Sequence, residues 1–272
     1  MNMLYQSLGI SKQALHQMLN RRDRNYAYEQ QLLMIVHQVR RDHPTMGCRD
    51  LYFKIHPLSM GRDAFERFCR EYDLLSHPCR KGYKTTDSTG VIRFDNLLVD
   101  CSIEYCNQVW QSDITYYEVK DRFYYLTFIL DAFSRRIVGH ATSAGLDTQS
   151  TTLQALKMAI KSRQGLDIKG LIFHSDGGGQ YYAREFLKLT SKYGLLNSMC
   201  EYPWENGKAE RINGIIKNNY LIHRRIGSFE DLQREVDRSV HLYNYDKPHK
   251  KLGRKTPVEF EQSLVPLLSN PS

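Results

Sequence analysis

The chain has 272 residues, enough for two domains and a sizeable buried core, and its 41% apolar and 25% charged content is ordinary for a globular protein. No apolar run approaches the roughly 20 residues that cross a bilayer, and Met1-Asn2-Met3-Leu4-Tyr5-Gln6 lacks the form of a secretory signal, so a cytoplasmic location without membrane is expected. The net charge of +8 gathers at two flanks, +6 over residues 1–85 and +5 over 205–256, around a centre of −1 over 86–204; such a distribution suits a protein that grips a polyanion at both ends, although basic surfaces also serve solubility alone.

Residues 1–80 read as short helices of helix-turn-helix type, with a helical appendage that only packs on the core as the alternative. Leu4 to Leu8 precede a turn at Gly9-Ile10-Ser11. Lys12 to Asn20 follow, with Ser11 as N-cap. Tyr26 to Arg41 carries Leu32, Leu33, Ile35, Val36 and Val39 at helical spacing and ends at His43-Pro44. Gly47 to Ile55 and Asp63 to Tyr72 are two further helices, joined through Pro57 and Gly61. Residues 81–106, polar and turn-rich around Lys81-Gly82 and Thr89-Gly90, read as a linker.

The centre changes character. Gln108 to Val119, Phe123 to Asp131 and Arg136 to Thr142 form an expected antiparallel meander, with turns at Asp121 and Ser134-Arg135. A helix starts from a cap at Asp147-Thr148 and runs through Arg163. A buried strand follows at Gly170 to His174, then a helix from Arg184 to Tyr193, a strand from Leu195 to Met199 and a long helix from Ala209 to His223. The order β-β-β-α-β-α-β-α is that of a ribonuclease H-like α/β core. It predicts a mixed five-stranded sheet with flanking helices over 107–225, leaving 226–272 as a helical tail.

Three acids stand out in this frame. Asp113 falls inside an apolar strand, where an unpartnered carboxylate is costly. Asp176 directly follows the buried strand, where α/β sites gather, and precedes Gly177, Gly178 and Gly179. Glu210 lies in the first turns of the last long helix. Three such groups can hold two hard divalent cations. Taken singly, Asp176 also fits a turn residue and Glu210 a helix-dipole partner. Asp131 and Glu205 are rival acids, the first read as structural because it stands where a strand meets a turn. Cys48, Cys69, Cys79, Cys101, Cys106 and Cys200 form no Cys-x-x-Cys pair, so free thiols are expected. A zinc site drawn from His43, Cys48, His56, Cys69, His77 and Cys79 fits no finger spacing.

Five segments in a fixed order give the chain a resemblance. They are Arg41-Asp42-His43-Pro44-Thr45-Met46-Gly47-Cys48-Arg49; Asn107-Gln108-Val109-Trp110-Gln111-Ser112-Asp113-Ile114-Thr115-Tyr116, with Asp131-Ala132-Phe133-Ser134-Arg135-Arg136-Ile137-Val138-Gly139 after it; His174-Ser175-Asp176 with Gly179-Gln180-Tyr181; Glu205-Asn206-Gly207-Lys208-Ala209-Glu210-Arg211; and Tyr243-Asn244 with Pro248-His249 and, further on, Thr256-Pro257 with Glu259-Phe260. Over most of its length the chain resembles the DDE transposases of the insertion sequence 3 family, which share the retroviral-integrase catalytic core, and more specifically their second reading-frame product. It departs from them in spacing: 33 residues separate Asp176 from Glu210, two short of the family's usual interval, and Gly178 stands where a side chain is common.

The resemblance implies DNA strand cleavage and strand transfer at the ends of an insertion sequence, with Asp113, Asp176 and Glu210 binding two Mg²⁺ ions, which Mn²⁺ would replace. It implies DNA contacts from His174, Gln180, Asn206, Lys208, Arg211 and Lys217 near the acids, and from Arg49 and Arg62 in the helical region. The implied partners are terminal inverted repeats, target DNA, further copies of the chain on DNA, and a helix-turn-helix protein of an upstream reading frame, in a bacterial nucleoid. A catalytically inactive DNA-binding protein derived from a transposase is the alternative.

Overall fold

A computed structural model describes residue 9 and residues 11–76 and 94–268. The expected helix at Leu4 to Leu8, the first half of the linker, His77 and Cys79 lie outside the described residues. The chain divides into two compact units, residues 1–76 and 77–272.

Among the described residues the first unit holds three helices: α1 (Lys12–Asp42), α2 (Cys48–Ile55) and α3 (Arg62–Glu71). Ser11 does cap α1, its Oγ accepting the Ala14 N–H at 3.0 Å. The expected break between Asn20 and Tyr26 is absent, and α1 is one helix of 31 residues. Arg21 to Asn25 contains no Gly or Pro, so nothing ends the helix there. Only its second half meets a core, where Leu32 and Val36 pack with Leu51, Phe65 and Phe68.

The second unit is built on a five-stranded sheet in the order β3-β2-β1-β4-β5. Strands β1 (Val109–Val119), β2 (Arg122–Asp131) and β3 (Ile137–Ser143) form the expected antiparallel meander. Lys120 and Asp121 link β1 to β2 with φ of 48° and 61°, the left-handed pair that a tight hairpin turn needs. β4 (Ile172–Ser175) and β5 (Leu196–Met199) run parallel to β1.

Helices α4 (Thr152–Ser162) and α5 (Arg184–Lys192) flank the sheet, as do α6 (Gly207–Asn219), α7 (Phe229–Tyr245) and α8 (Pro257–Leu268). α4 starts four residues later than the Asp147-Thr148 cap suggested, because Asp147 spends its carboxylate on the Ser150 N–H in a turn of its own. The long helix expected to reach His223 ends at Asn219 and continues as a 3-10 turn, Leu221–His223.

Strand alternation splits the core in two. Leu126, Phe128 and Leu130 pack with Ile212, Ile216, Leu232, Val236 and Tyr243. Trp110 and Ile129 pack on the other side with Leu156, Phe173 and Phe186. The sheet is thus sandwiched between helical layers, the ribonuclease H-like arrangement. α7 is part of that sandwich. Its Asn244 pairs with both backbone groups of Ile137 at 2.8 and 2.9 Å, standing in for a missing neighbour strand. α8 opens on a reciprocal cap. Thr256 Oγ1 accepts the Glu259 N–H, and the Glu259 carboxylate accepts the Thr256 N–H, with Pro257 at the first position. Among the described residues no helix is long and apolar enough to cross a membrane.

Candidate active site

β4 is much shorter than β1, and the site begins where β4 stops. Ser112 pairs with Ser175 in the parallel register, so Asp113, the next residue of β1, stands beside the position where the chain leaves β4 at Asp176. Neighbouring strands lie about 4.8 Å apart. Ser112 points to the α4–α5 side, where its Oγ meets the Tyr181 hydroxyl at 2.9 Å. Asp113 therefore points the other way, toward α6.

α6 presents a polar row to that strand. Asn213 Nδ2 donates to Asp113 Oδ2 at 2.7 Å, and Lys217 Nζ donates to Thr115 Oγ1 at 2.7 Å. Asp113 and Thr115 are i, i+2 on one strand face; Glu210, Asn213 and Lys217 are i, i+3 and i+7 on one helix face. Two helix–strand bonds thus set the rotation of α6, and Glu210 occupies the next place in the row, exposed, one turn before Asn213. The shortened interval before Glu210 does not draw the helix away from the strand. The intervening segment tightens instead into a 3-10 turn, Pro203–Asn206, that runs directly into α6.

Burial pushes the Asp113 carboxyl up to about 7, and the charges of Asp176 and Glu210 add to the shift. The Ile114 N–H and the Asn213 amide work against it. Burial also raises Asp176, opposed by the Gly178 N–H, which donates to its Oδ1 at 3.2 Å. A methyl group on Gly178 would stand 3.1 Å from that oxygen, so the glycine leaves room for the carboxylate. Three acids lie within electrostatic reach, and two of them are desolvated. Among the described residues no three His, Cys, Asp or Glu side chains already stand close enough to share an ion. The hard oxygen donors suit Mg²⁺, and the Glu210 side chain is exposed.

The rival acids are otherwise engaged. Asp131 is wholly buried and accepts the N–H groups of Asn107, Phe133 and Ser134, closing the β2–β3 turn. Glu205 accepts the N–H groups of Glu201 and Tyr202 at 2.7 and 3.0 Å. The described cysteines, Cys48, Cys69, Cys101, Cys106 and Cys200, are free thiols.

The residues expected to touch DNA are dispersed. His174 has no exposed surface; its Nδ1 meets Ser198 Oγ at 2.9 Å, and burial lowers it to about 4, so it is neutral at pH 7. The expectation of a phosphate contact from His174 is therefore corrected: strand alternation puts it two residues below Asp176, beside Gln111, inside the sheet. Asn206 is likewise buried and donates to the Ser112 carbonyl at 2.9 Å, tying the start of α6 to β1. Lys217 is half-buried, bonded to Thr115 and set 5.6 Å over the Tyr116 ring. Lys208 Nζ donates to the Ala132 carbonyl, and Gln180 Nε2 to the Leu146 carbonyl. Arg211 is exposed. In the first unit, Arg49 pairs with Glu66 and Arg62 with Asp63, both arginines largely in solvent.

Asn213 escaped the sequence reading. The sequence carries one sign of it, a polar residue within the Ile212–Ile216 stripe one turn after Glu210, and no sign of its partner.

Comparison with known proteins places this geometry. Two family models, each described as an integrase core domain, match residues 105–202 and 197–257. The chain is 30% identical over 229 residues to the insertion element IS600 uncharacterized 31 kDa protein of Shigella sonnei, covering 82% of this chain and 83% of that one. It is 31% identical over 172 residues to a putative transposase for insertion sequence element IS986/IS6110 of Mycobacterium tuberculosis, spanning 61% of this chain and 62% of that relative. Among solved structures, the HTLV-2 integrase catalytic core domain in complex with magnesium (trimeric form) aligns at 25% identity and a TM-score of 0.46, over 57% of this chain and 96% of that one. With an integrase core and a match along most of a relative's length, the chain belongs to the insertion-sequence transposases, of insertion sequence 3 type.

Proposed function

We propose that this transposase cuts DNA at the ends of its element and joins the freed 3′-hydroxyl to target DNA, using Asp113, Asp176 and Glu210 to hold two Mg²⁺ ions, with Mn²⁺ as a substitute. The observation that carries this reading is the strand register that sets Asp113 beside Asp176, together with the Asn213 bond that turns the Glu210 face of α6 toward them. When bound, the ions would supply activation of a water or 3′-hydroxyl and stabilisation of the leaving oxygen.

The chain's own residues do the rest. Asn213 fixes one oxygen of Asp113 and so sets the orientation of the carboxylate. The Gly178 N–H does the same for Asp176. The proton that burial favours on Asp113 must leave before that carboxylate can bind a cation, so loading weakens below pH 7. Lys217 and Thr115 hold the helix that carries Glu210. Arg211, Lys208 and Gln180 are the proposed DNA contacts around the acids. Arg49 and Arg62 are those of the helical unit, which we read as the module that recognises the terminal repeats. Action on two DNA ends calls for more than one copy of the chain, and a protein of the upstream reading frame is a further proposed partner.

Labelled element ends incubated with Mg²⁺ or Mn²⁺ test this reading. Strand cleavage is expected from the wild type, with loss of cleavage and retention of DNA binding in Asp113→Asn, Asp176→Asn and Glu210→Gln. Equal cleavage by the variants would overturn the site. Binding without cleavage by the wild type would favour the inactive DNA-binding alternative.

A further inference from the structure

Between Met199 and α6 the chain exposes two aromatic side chains that the proposed chemistry does not use. Trp204 is 73% and Tyr202 50% exposed. Their ring centroids are 4.5 Å apart and their planes within 5° of parallel. Single exposed aromatics are common and need no explanation. Two parallel stacked rings presented together to solvent keep a large π-face in water, because stacking one ring on the other covers only one face of each.

The pair is also held in place. The Glu205 carboxylate takes the Glu201 and Tyr202 N–H groups, and the Glu205 N–H returns to the Tyr202 carbonyl at 3.1 Å. Asn206, two residues after Trp204, is anchored to the carbonyl of Ser112, the residue before Asp113. Gln111 Nε2 reaches the Glu205 carbonyl at 3.5 Å. The aromatic pair therefore stands on a short turn pinned to the strand that carries Asp113, and Lys208 and Arg211 follow on the first turn of α6.

We propose that Tyr202 and Trp204 form a stacking platform for an unpaired base at the DNA end being processed, the base lying on the outer face of Trp204. A flat aromatic surface beside basic side chains is the general means of holding single-stranded nucleic acid, because every base offers a π-face while the phosphates meet the cations. This inference rests on the transposase reading for its ligand class, and it adds a positioning role. A base fixed on Trp204 would set the register of its strand against the acids.

The chain contains two tryptophans, and Trp110 is wholly buried, so emission changes on DNA binding report on Trp204. The full chain is titrated, without divalent metal so that nothing is cut, with duplex element ends that are blunt or carry an unpaired 3′ extension. Binding is followed by anisotropy of labelled DNA and stacking by tryptophan emission. The expected result is quenching by the extended end that is lost when the unpaired positions are abasic. About a tenfold affinity advantage of extended over blunt ends is also expected. That advantage should vanish in Trp204→Ala and persist in Trp204→Phe, while blunt-end binding stays the same in all three proteins.

DNA binding without quenching and without dependence on Trp204 would overturn the platform and leave the transposase reading intact. No DNA binding of any kind would remove both. An emission change that grows with protein concentration in the absence of DNA would seat a second copy on these rings instead, and would also overturn the proposal.

Discussion

Two buried groups titrate against each other within the sheet, and their opposition gives a test at the scale of single residues. Asp113 is raised from 3.8 to about 7, so the stability it contributes is fully present below 3.8 and is lost as pH rises through 7. His174 is lowered from 6.5 to about 4, so its contribution is present above 6.5 and is lost as pH falls through 4. Relative to wild type without metal, Asp113→Asn should therefore gain stability as pH climbs from 4 to 7, by about 3 kcal/mol. His174→Asn should lose less than wild type as pH falls over the same window. Urea denaturation at half-unit pH steps measures both, and parallel curves for the two variants would refute the assignment. Asp113 was legible in the sequence because a carboxylate in an apolar strand demands a partner. His174 was misread because nearness in the motif was taken for nearness to solvent. The bond from Asn213 was invisible, since it joins residues 100 positions apart. Asn213→Ala should raise the Asp113 carboxyl further and cost about 1–2 kcal/mol, read from the same denaturation curves.

At the scale of elements, two contacts hold the helical layers on the sheet. Gly139 in β3 lies under α4: a methyl group there would sit 2.2 Å from the Ala155 carbonyl oxygen and 2.9 Å from the Ala159 methyl. Its φ does not require glycine; the close approach of helix to strand does. Gly139→Ala should cost about 1–3 kcal/mol or more through overpacking. Glu261 of α8 accepts from Ser134, Arg136 and Arg163, gathering both sides of the β2–β3 turn onto one buried carboxylate. Its two cationic partners hold it below the usual carboxylate range despite burial. Glu261→Ala would strand Arg163 as a buried unpaired cation and should cost about 3–5 kcal/mol, read as a lowered denaturation midpoint. Loss of under 1 kcal/mol would show that the cluster is solvated. The order of strands and helices was readable, because alternation and helical spacing are local signals. The boundaries were less so. α1 ran through a polar stretch with no breaker, and α4 began late because Asp147 closed its own turn first. The role of Glu261 needs a partner 98 residues away, which no periodicity reveals.

At the scale of the molecule, both architectural units carry a basic excess. The helical unit has its own core of Leu32, Val36, Leu51, Phe65 and Phe68, and the sheet unit has two others. Each unit therefore has the means to fold alone. Of the basic excess over residues 1–85, +3 falls in the first unit and +3, from Arg80, Lys81 and Lys84, just beyond it, while the +5 of 205–256 falls in the second unit. If both grip DNA phosphate, binding by the whole chain must release counterions from both footprints. The slope of log affinity against log salt then exceeds that of a fragment comprising residues 94–272. Each phosphate contact removed lowers the slope by about 0.9, so a helical unit that contributes three contacts would flatten it by nearly 3. Charge neutralisation at Arg49 and Arg62 should reproduce part of that loss in the full chain, about one unit of slope for each arginine that meets phosphate. Anisotropy titrations from low to physiological salt supply the slopes. An unchanged slope in the fragment would confine DNA binding to the catalytic unit and leave the helices a packing role. A loss that depends on the element's terminal sequence would give them the recognition task.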